Sequence, residues 1–174
     1  RCRIQPWSCQ HFDGRADGPG GLRGRFVTAL RHERGGGLWV TTNPGGLHLA
    51  RFDPDGREVG FERWDTQRGL LSDSILSVEA DDDGTVWVSS PLGLSHLDPA
   101  TGRIENHVLQ SGLPVSNFNF GASAADRDFI YFGAVQGLVS FPRGTPLRQR
   151  SPTPVRIIGA ERLSEGAWRP LPPA

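Results

Sequence analysis

The residues of this chain best suited to hold a metal or move a proton are five histidines, two cysteines and one run of aspartates. His11, His32, His48, His96 and His107 are scattered along the chain. His48 and His96 alone look matched, since each closely follows a Gly-Leu pair, Gly46-Leu47 and Gly93-Leu94. Counted from those pairs, they are one position out of step. One position along a strand reverses the face, so the two imidazoles do not belong to one ring of ligands. Packing or surface roles are expected for all five. Asp81-Asp82-Asp83 lacks the spaced oxygen ligands of a calcium loop and is expected to be a solvated hairpin tip. Cys2 and Cys9 have no second pair to complete a zinc centre. They read as two free or half-buried thiols, with a local disulfide as the alternative in an oxidising compartment. Arg143, Arg148 and Arg150 could gather an anion, but a solvated linker is the simpler reading. Phosphate loop, Gly-x-Ser-x-Gly elbow and His-Glu-x-x-His are all missing from the sequence. No catalytic residue, metal or cofactor is therefore expected.

Trp39, Trp87 and Tyr131 offer flat rings of the kind on which sugars stack. Their placement argues for packing instead. They lie 48 and 44 residues apart, in Leu38-Trp39-Val40-Thr41, Val86-Trp87-Val88-Ser89 and Ile130-Tyr131-Phe132-Gly133. A Gly-Leu follows each copy, at Gly46-Leu47, Gly93-Leu94 and Gly137-Leu138. A second Gly-Leu recurs at Gly21-Leu22, Gly69-Leu70 and Gly112-Leu113. Three markers that drift together define a repeating unit of about 45 residues. A period in the forties with one aromatic per unit predicts four-stranded antiparallel propeller blades.

The middle repeat shows how the elements are laid out. Ser74 to Glu79 reads as a first strand, and Asp83-Gly84 is a hairpin signal. Thr85 to Ser89 is the second strand, Leu94 to Leu97 the third, and Arg103 to Leu109 alternates like a half-exposed outer strand. The first repeat fills the same roles with Phe26 to Arg31, Leu38 to Thr41, Leu47 to Phe52 and Gly60 to Trp64. Two extra residues in its third strand read as a bulge or longer turn. The last repeat keeps Phe118 to Ala122, Phe129 to Gly133 and Leu138 to Phe141 but shows no clear fourth strand. The expected fold is all-β: an open partial propeller of about three blades, at residues 25–68, 74–116 and 117–142. Residues 1–24 read as the tail of an earlier blade with its exit loop, and 143–154 as a Pro/Arg-rich linker. Three blades cannot close a ring of about four to eight, so the chain is expected to be a piece of a longer polypeptide.

Composition agrees with short strands and tight turns, with 23 Gly and 14 Pro. Acidic and basic residues balance at 19 each, which gives no bulk attraction for nucleic acid or an anionic membrane. No apolar run approaches the ~18 residues of a membrane helix.

Within a blade, the turns at Asp83-Gly84 and Asp98-Pro99 share one end. The Ser90-Pro91 turn and the joins at Ser72-Asp73 and Ser116-Asn117 share the other, which carries the more varied loops. Varied loops on a rigid scaffold are where recognition usually sits. The expected recognition rim is therefore Arg23, Arg25, Asn43, Asp73, Ser90, Asn117 and Asn119, with contact to a neighbouring domain as the competing role.

The motifs resemble those of the two-component regulator propeller repeat family, the sensor region of bacterial hybrid two-component receptors. The resemblance rests on Asp82-Asp83-Gly84-Thr85-Val86-Trp87-Val88-Ser89-Ser90, Gly93-Leu94, Asp98-Pro99 and Gly112-Leu113-Pro114. Ser89-Ser90 departs from the Gly-Thr usual in that family. Phe118-Asn119-Phe120-Gly121-Ala122, Tyr131-Phe132-Gly133, Gly137-Leu138 and Phe141 resemble its closing blade. Thr153 to Ile158 resembles the first strand of the Ig-like domain that commonly follows, so residues 155–174 are expected to begin a truncated Ig-like domain.

This resemblance implies a non-enzymatic, ligand-sensing segment on the periplasmic side of an inner-membrane receptor. Any histidine kinase or diguanylate cyclase output lies outside this chain. It implies as partners a small-molecule or glycan ligand, the remaining blades, the Ig-like domain and a second copy of the receptor, and no nucleic acid. The alternatives are a fragment of a propeller-fold glycan lyase or hydrolase, which would need convergent acid–base groups, and a protein-interaction scaffold.

Overall fold

A computed structural model describes residues 2–4, 7–9, 21–55, 58–147, 161–164 and 167–170. Its strands are β1 (Cys2–Ile4), β2 (Trp7–Cys9), β3 (Phe26–His32), β4 (Leu38–Asn43), β5 (Gly46–Phe52), β6 (Glu58–Trp64), β7 (Ser77–Ala80) and β8 (Val86–Ser90). They continue with β9 (Gly93–Asp98), β10 (Arg103–His107), β11 (Phe118–Ala125), β12 (Phe129–Ala134), β13 (Gly137–Pro142), β14 (Glu161–Ser164) and β15 (Ala167–Pro170). Three antiparallel meanders result, β3-β4-β5-β6, β7-β8-β9-β10 and β11-β12-β13, with separate hairpins β1-β2 and β14-β15. The chain is all-β, and helix among the described residues is limited to the single 3₁₀ turns Thr66–Arg68 and Leu109–Ser111.

Alternation along each second strand decides how the sheets pack. Trp39, Leu47, Leu49 and Trp64 leave the first sheet on one face and meet Ile75, in the join just before β7, and Val78, Val86, Val88 and Leu97 of the second sheet. The second sheet's other face presents Leu76, Trp87 and Leu94 to Phe118, Ile130, Phe132 and Val139 of the third. Fully burying a side chain of this size stabilises by about 1.5–3 kcal/mol, so these two seams hold the three sheets as one body. Trp39 and Trp87 are 1% and 3% exposed, which makes them core rather than platforms. Tyr131 holds the equivalent position on β12, but its face is the outer one. It is half-buried, lies beside Phe129, and its hydroxyl donates to Asp126 at 2.7 Å.

The Gly-Leu markers have a steric cause. Gly46 (φ +93°) and Gly93 (φ +153°) sit where the fourth strand ends against the third. A Cβ there would stand 2.3 Å from the carbonyl oxygen of Trp64 and 2.2 Å from that of His107. Gly137 keeps the positive φ, +140°, but a Cβ there would meet nothing within 4 Å. The described third sheet has no fourth strand to crowd it. The later markers work differently: Gly69 and Gly112 cap the two 3₁₀ turns in the left-handed region, where Gly carries no Cβ penalty.

Two local expectations change. The first strand of the middle repeat begins at Ser77 rather than Ser74, because the Ile75 N–H goes to Thr42 O of the first sheet. The irregularity of the first sheet's outer hairpin lies on β6: Arg51 pairs with Gly60 and Phe52 with Glu58, leaving residue 59 as the bulge. The strand expected at 153–158 lies outside the described residues, as do Arg148 and Arg150.

Candidate functional site

The β4–β5 turn is the point at which expected rim residues come together. Asp73, in the join between the first two sheets, accepts from Gly45 N–H and Gly46 N–H through its carbonyl, both at 2.9 Å. Its Oδ1 accepts from Thr66 N–H at 2.8 Å, so its carboxylate is anchored beside the turn. The chain at Arg23 and Gly24 passes equally close. A Cβ on Gly45 would lie 2.3 Å from Arg23 O, and one on Gly24 would lie 2.6 Å from Pro44 O. Those glycines permit three backbones to meet. Arg23, Asn43 and Asp73 are thus gathered at one place, with Arg23 exposed and the other two half-buried.

The remaining rim residues are not gathered there. Arg25 is exposed two residues beyond Arg23. Ser90 is only 2% exposed. Its hydroxyl donates to Gly93 O and accepts from Leu92 N–H, so it closes a turn. Asn117 is exposed at φ 56° and its carbonyl accepts from Val135 N–H at the start of the third sheet. Asn119 is exposed in the stretch of β11 where the ladder jumps from Phe118↔Ala134 to Ser123↔Phe132.

One residue outside the expected rim stands beside this cluster. Phe26 pairs across the ladder with Asn43 and is 67% exposed. In sequence it resembles any apolar residue opening a strand, and only its burial separates it from the core. Arg23, Asn43, Asp73 and Phe26 offer a guanidinium, an amide, a carboxylate and an exposed aromatic ring, a chemistry that suits a polar ligand with one apolar surface. The group lacks a paired nucleophile and base.

Both matched histidines are buried, on opposite faces as their offset predicts. His48 pairs with Val40 on the outer face of the first sheet, and His96 pairs with Trp87 on the face toward the third. His48 Nε2 accepts from Arg23 N–H at 3.2 Å, and Phe61 meets the ring edge-on. His96 lies flat on Trp87, centroids 3.9 Å apart, with Nε2 2.8 Å from Thr85 Oγ1. Burial lowers the pKa of each from 6.5 to about 4, so both rings are neutral near pH 7 and serve as packing. Among the described residues, no three His, Cys, Asp or Glu side chains gather as a metal site.

The aspartate run is not uniformly solvated. Asp82 and Asp83 are exposed, but Asp81 is 2% exposed and holds Gly144 N–H at 2.8 Å. Arg143 correspondingly is no free linker side chain: its guanidinium lies between Asp81 and Asp82. Sequence offers no signal for contacts that span more than sixty residues.

No family model matches the chain, and no curated protein matches it. Solved structures do. The extracellular domain of the hybrid two-component system BT3049 from B. thetaiotaomicron matches over 95% of this chain and 28% of its own, with TM-score 0.51 and 18% identity. The extracellular domain of the hybrid two-component system BT4673 from the same organism matches over 69% of this chain and 17% of its own, with TM-score 0.55 and 18% identity. At this identity the likeness is one of fold, and the chain spans less than a third of either structure.

Proposed function

We propose that this chain is part of a non-enzymatic, ligand-sensing propeller on the extracytoplasmic side of a bacterial two-component receptor. The observation that carries the reading is the match over 95% of the chain to an extracellular domain of a hybrid two-component system. In this reading the blades occupy 25–68, 74–116 and 117–142, residues 143–154 lead out of the propeller, and 155–174 begin the next domain. The cluster of Arg23, Phe26, Asn43 and Asp73 supplies the recognition surface, and a glycan is the ligand class its chemistry suits. Periplasmic placement follows from the same reading.

Thermal melts of the chain against a panel of neutral and acidic oligosaccharides test it. A sugar at about 100 times its Kd stabilises by roughly 2.7 kcal/mol, a clear rise in Tm. That rise should vanish in Phe26→Ala and Asn43→Ala, two positions at the edge of the packed seams. A panel without a shift, or a shift indifferent to both substitutions, would count against the site. Turnover of the sugar would overturn the non-enzymatic reading.

A further inference from the structure

At the blade end opposite that cluster, charged groups from all three sheets converge on the tip of the second. Asp82 Oδ1 is shared by two guanidiniums. Arg143 approaches from the end of β13 at 2.8 Å, and Arg34 from the β3–β4 turn. Arg34 also donates to the Asp82 carbonyl at 2.8 Å. Arg143 is held on further sides: it donates to Ala80 O at 3.2 Å and to Asp126 O at 3.0 Å, and its Nε lies 3.4 Å from Asp81 Oδ1. Asp81 closes the set. Its Oδ1 accepts from Asp82 N–H at 2.7 Å and its Oδ2 from Gly144 N–H at 2.8 Å.

These contacts sit at a particular place in the chain. Arg143 and Gly144 are the first residues after β13, where the polypeptide leaves the third sheet. Their tethers run to the second sheet and, through Asp82, to the first. The Arg143 side chain is 17% exposed and that of Asp81 is fully buried. Charges so placed are costly to leave unpaired, which favours the closed arrangement over an open one.

We propose that Arg34, Asp81, Asp82, Arg143 and Gly144 form a clasp that couples the chain leaving the third sheet to the relative position of the first two. A shift of the first sheet against the second moves Arg34 off Asp82 and weakens the hold of the Asp81–Asp82 tip on the exit. The clasp rests on the sensing reading for its purpose, since it gives a change at the recognition end a path to whatever follows residue 144. Its mechanics stand without any ligand.

Amide hydrogen exchange of the ligand-free chain reads the clasp directly, because the Gly144 N–H is bonded to Asp81. Arg34→Gln removes an exposed contact in another sheet, and should speed Gly144 exchange roughly two- to fivefold. Asp81→Asn should speed it about tenfold or more. The Val88 amide, in the centre of β8, should keep its protection in Arg34→Gln. Unchanged Gly144 exchange in Arg34→Gln overturns the coupling. If Asp81→Asn also deprotects Val88, the variant has unfolded and Arg34→Gln decides alone. No sugar enters this experiment, so failure of the oligosaccharide screen and failure of the clasp are separate results.

Discussion

Acid should loosen this fold through two buried histidines. His48 and His96 are 0% and 1% exposed, and the pKa of each falls from 6.5 to about 4 on burial. The unfolded chain takes up these two protons first as pH drops. Stability is therefore full above about pH 6.5 and declines as pH falls toward about 4, where the folded rings also titrate. At pH 5 the difference in binding is worth about 2 kcal/mol per ring, by 1.36 kcal/mol for each pKa unit. Partial solvent screening and relaxation around the rings bring that to about 1–2 kcal/mol each. Asp98 and Glu33 also have lowered pKa values, through hydrogen bonds from Thr101 and from Gly35 and Gly37. Their contribution disappears only below their unfolded values of about 4. The window from pH 7 to pH 5 thus isolates the histidines. Denaturant titrations at pH 7, 6 and 5 should show a loss of about 2–4 kcal/mol in all. His96→Phe, which can still stack on Trp87 without titrating, should remove about half of the pH slope. A flat stability from pH 7 to 5, or His48 and His96 imidazole resonances titrating near pH 6.5, would refute the burial argument.

Four substitutions probe the packing. Trp87→Ala empties a site shared with His96, Phe141 and His107, and should cost about 3–5 kcal/mol in denaturant melts; a near-neutral result would place the ring outside the core. Gly93→Ala combines positive φ with a clash on His107 O and should cost more than about 2 kcal/mol, whereas Gly137→Ala should cost only the ~1 kcal/mol of backbone strain. Equal Tm losses in those two variants would refute the fourth-strand explanation of the Gly-Leu marker. Glu79→Gln weakens the bidentate grip on Arg31, a side chain that also reaches Ser123 O of the third sheet, and should cost about 1–3 kcal/mol by the same melts.

What was legible in the sequence and what was not divide along one physical line. Features that each repeat must satisfy within itself left a periodic trace. Gly46 and Gly93 against the outer strand, and Gly69 and Gly112 on the 3₁₀ turns, answer to constraints inside one unit or at its join, while Trp39 and Trp87, near the starts of β4 and β8, fill the apolar seam that each unit repeats with the next. The one-position offset of His48 and His96 is of the same kind, since strand alternation alone assigns their faces. Polar contacts made by only one pair of units leave no such trace. Thr28 is an ordinary strand threonine in sequence, yet it donates from a bulge in β3 to Ile75 O, in the join that leads into the next sheet. Asp81 is one of three consecutive aspartates, and nothing local distinguishes the one that is buried. It is buried because Arg143 and Gly144 arrive from another sheet, 62 and 63 residues later. The rim suffers in the same way: Ser90 has the right sequence position but spends its hydroxyl on its own turn, while Phe26 is exposed because the segments beside it do not cover it. Where units meet, polar contacts differ from one pair to the next, so the residues that make them are those a repeat pattern is least able to mark.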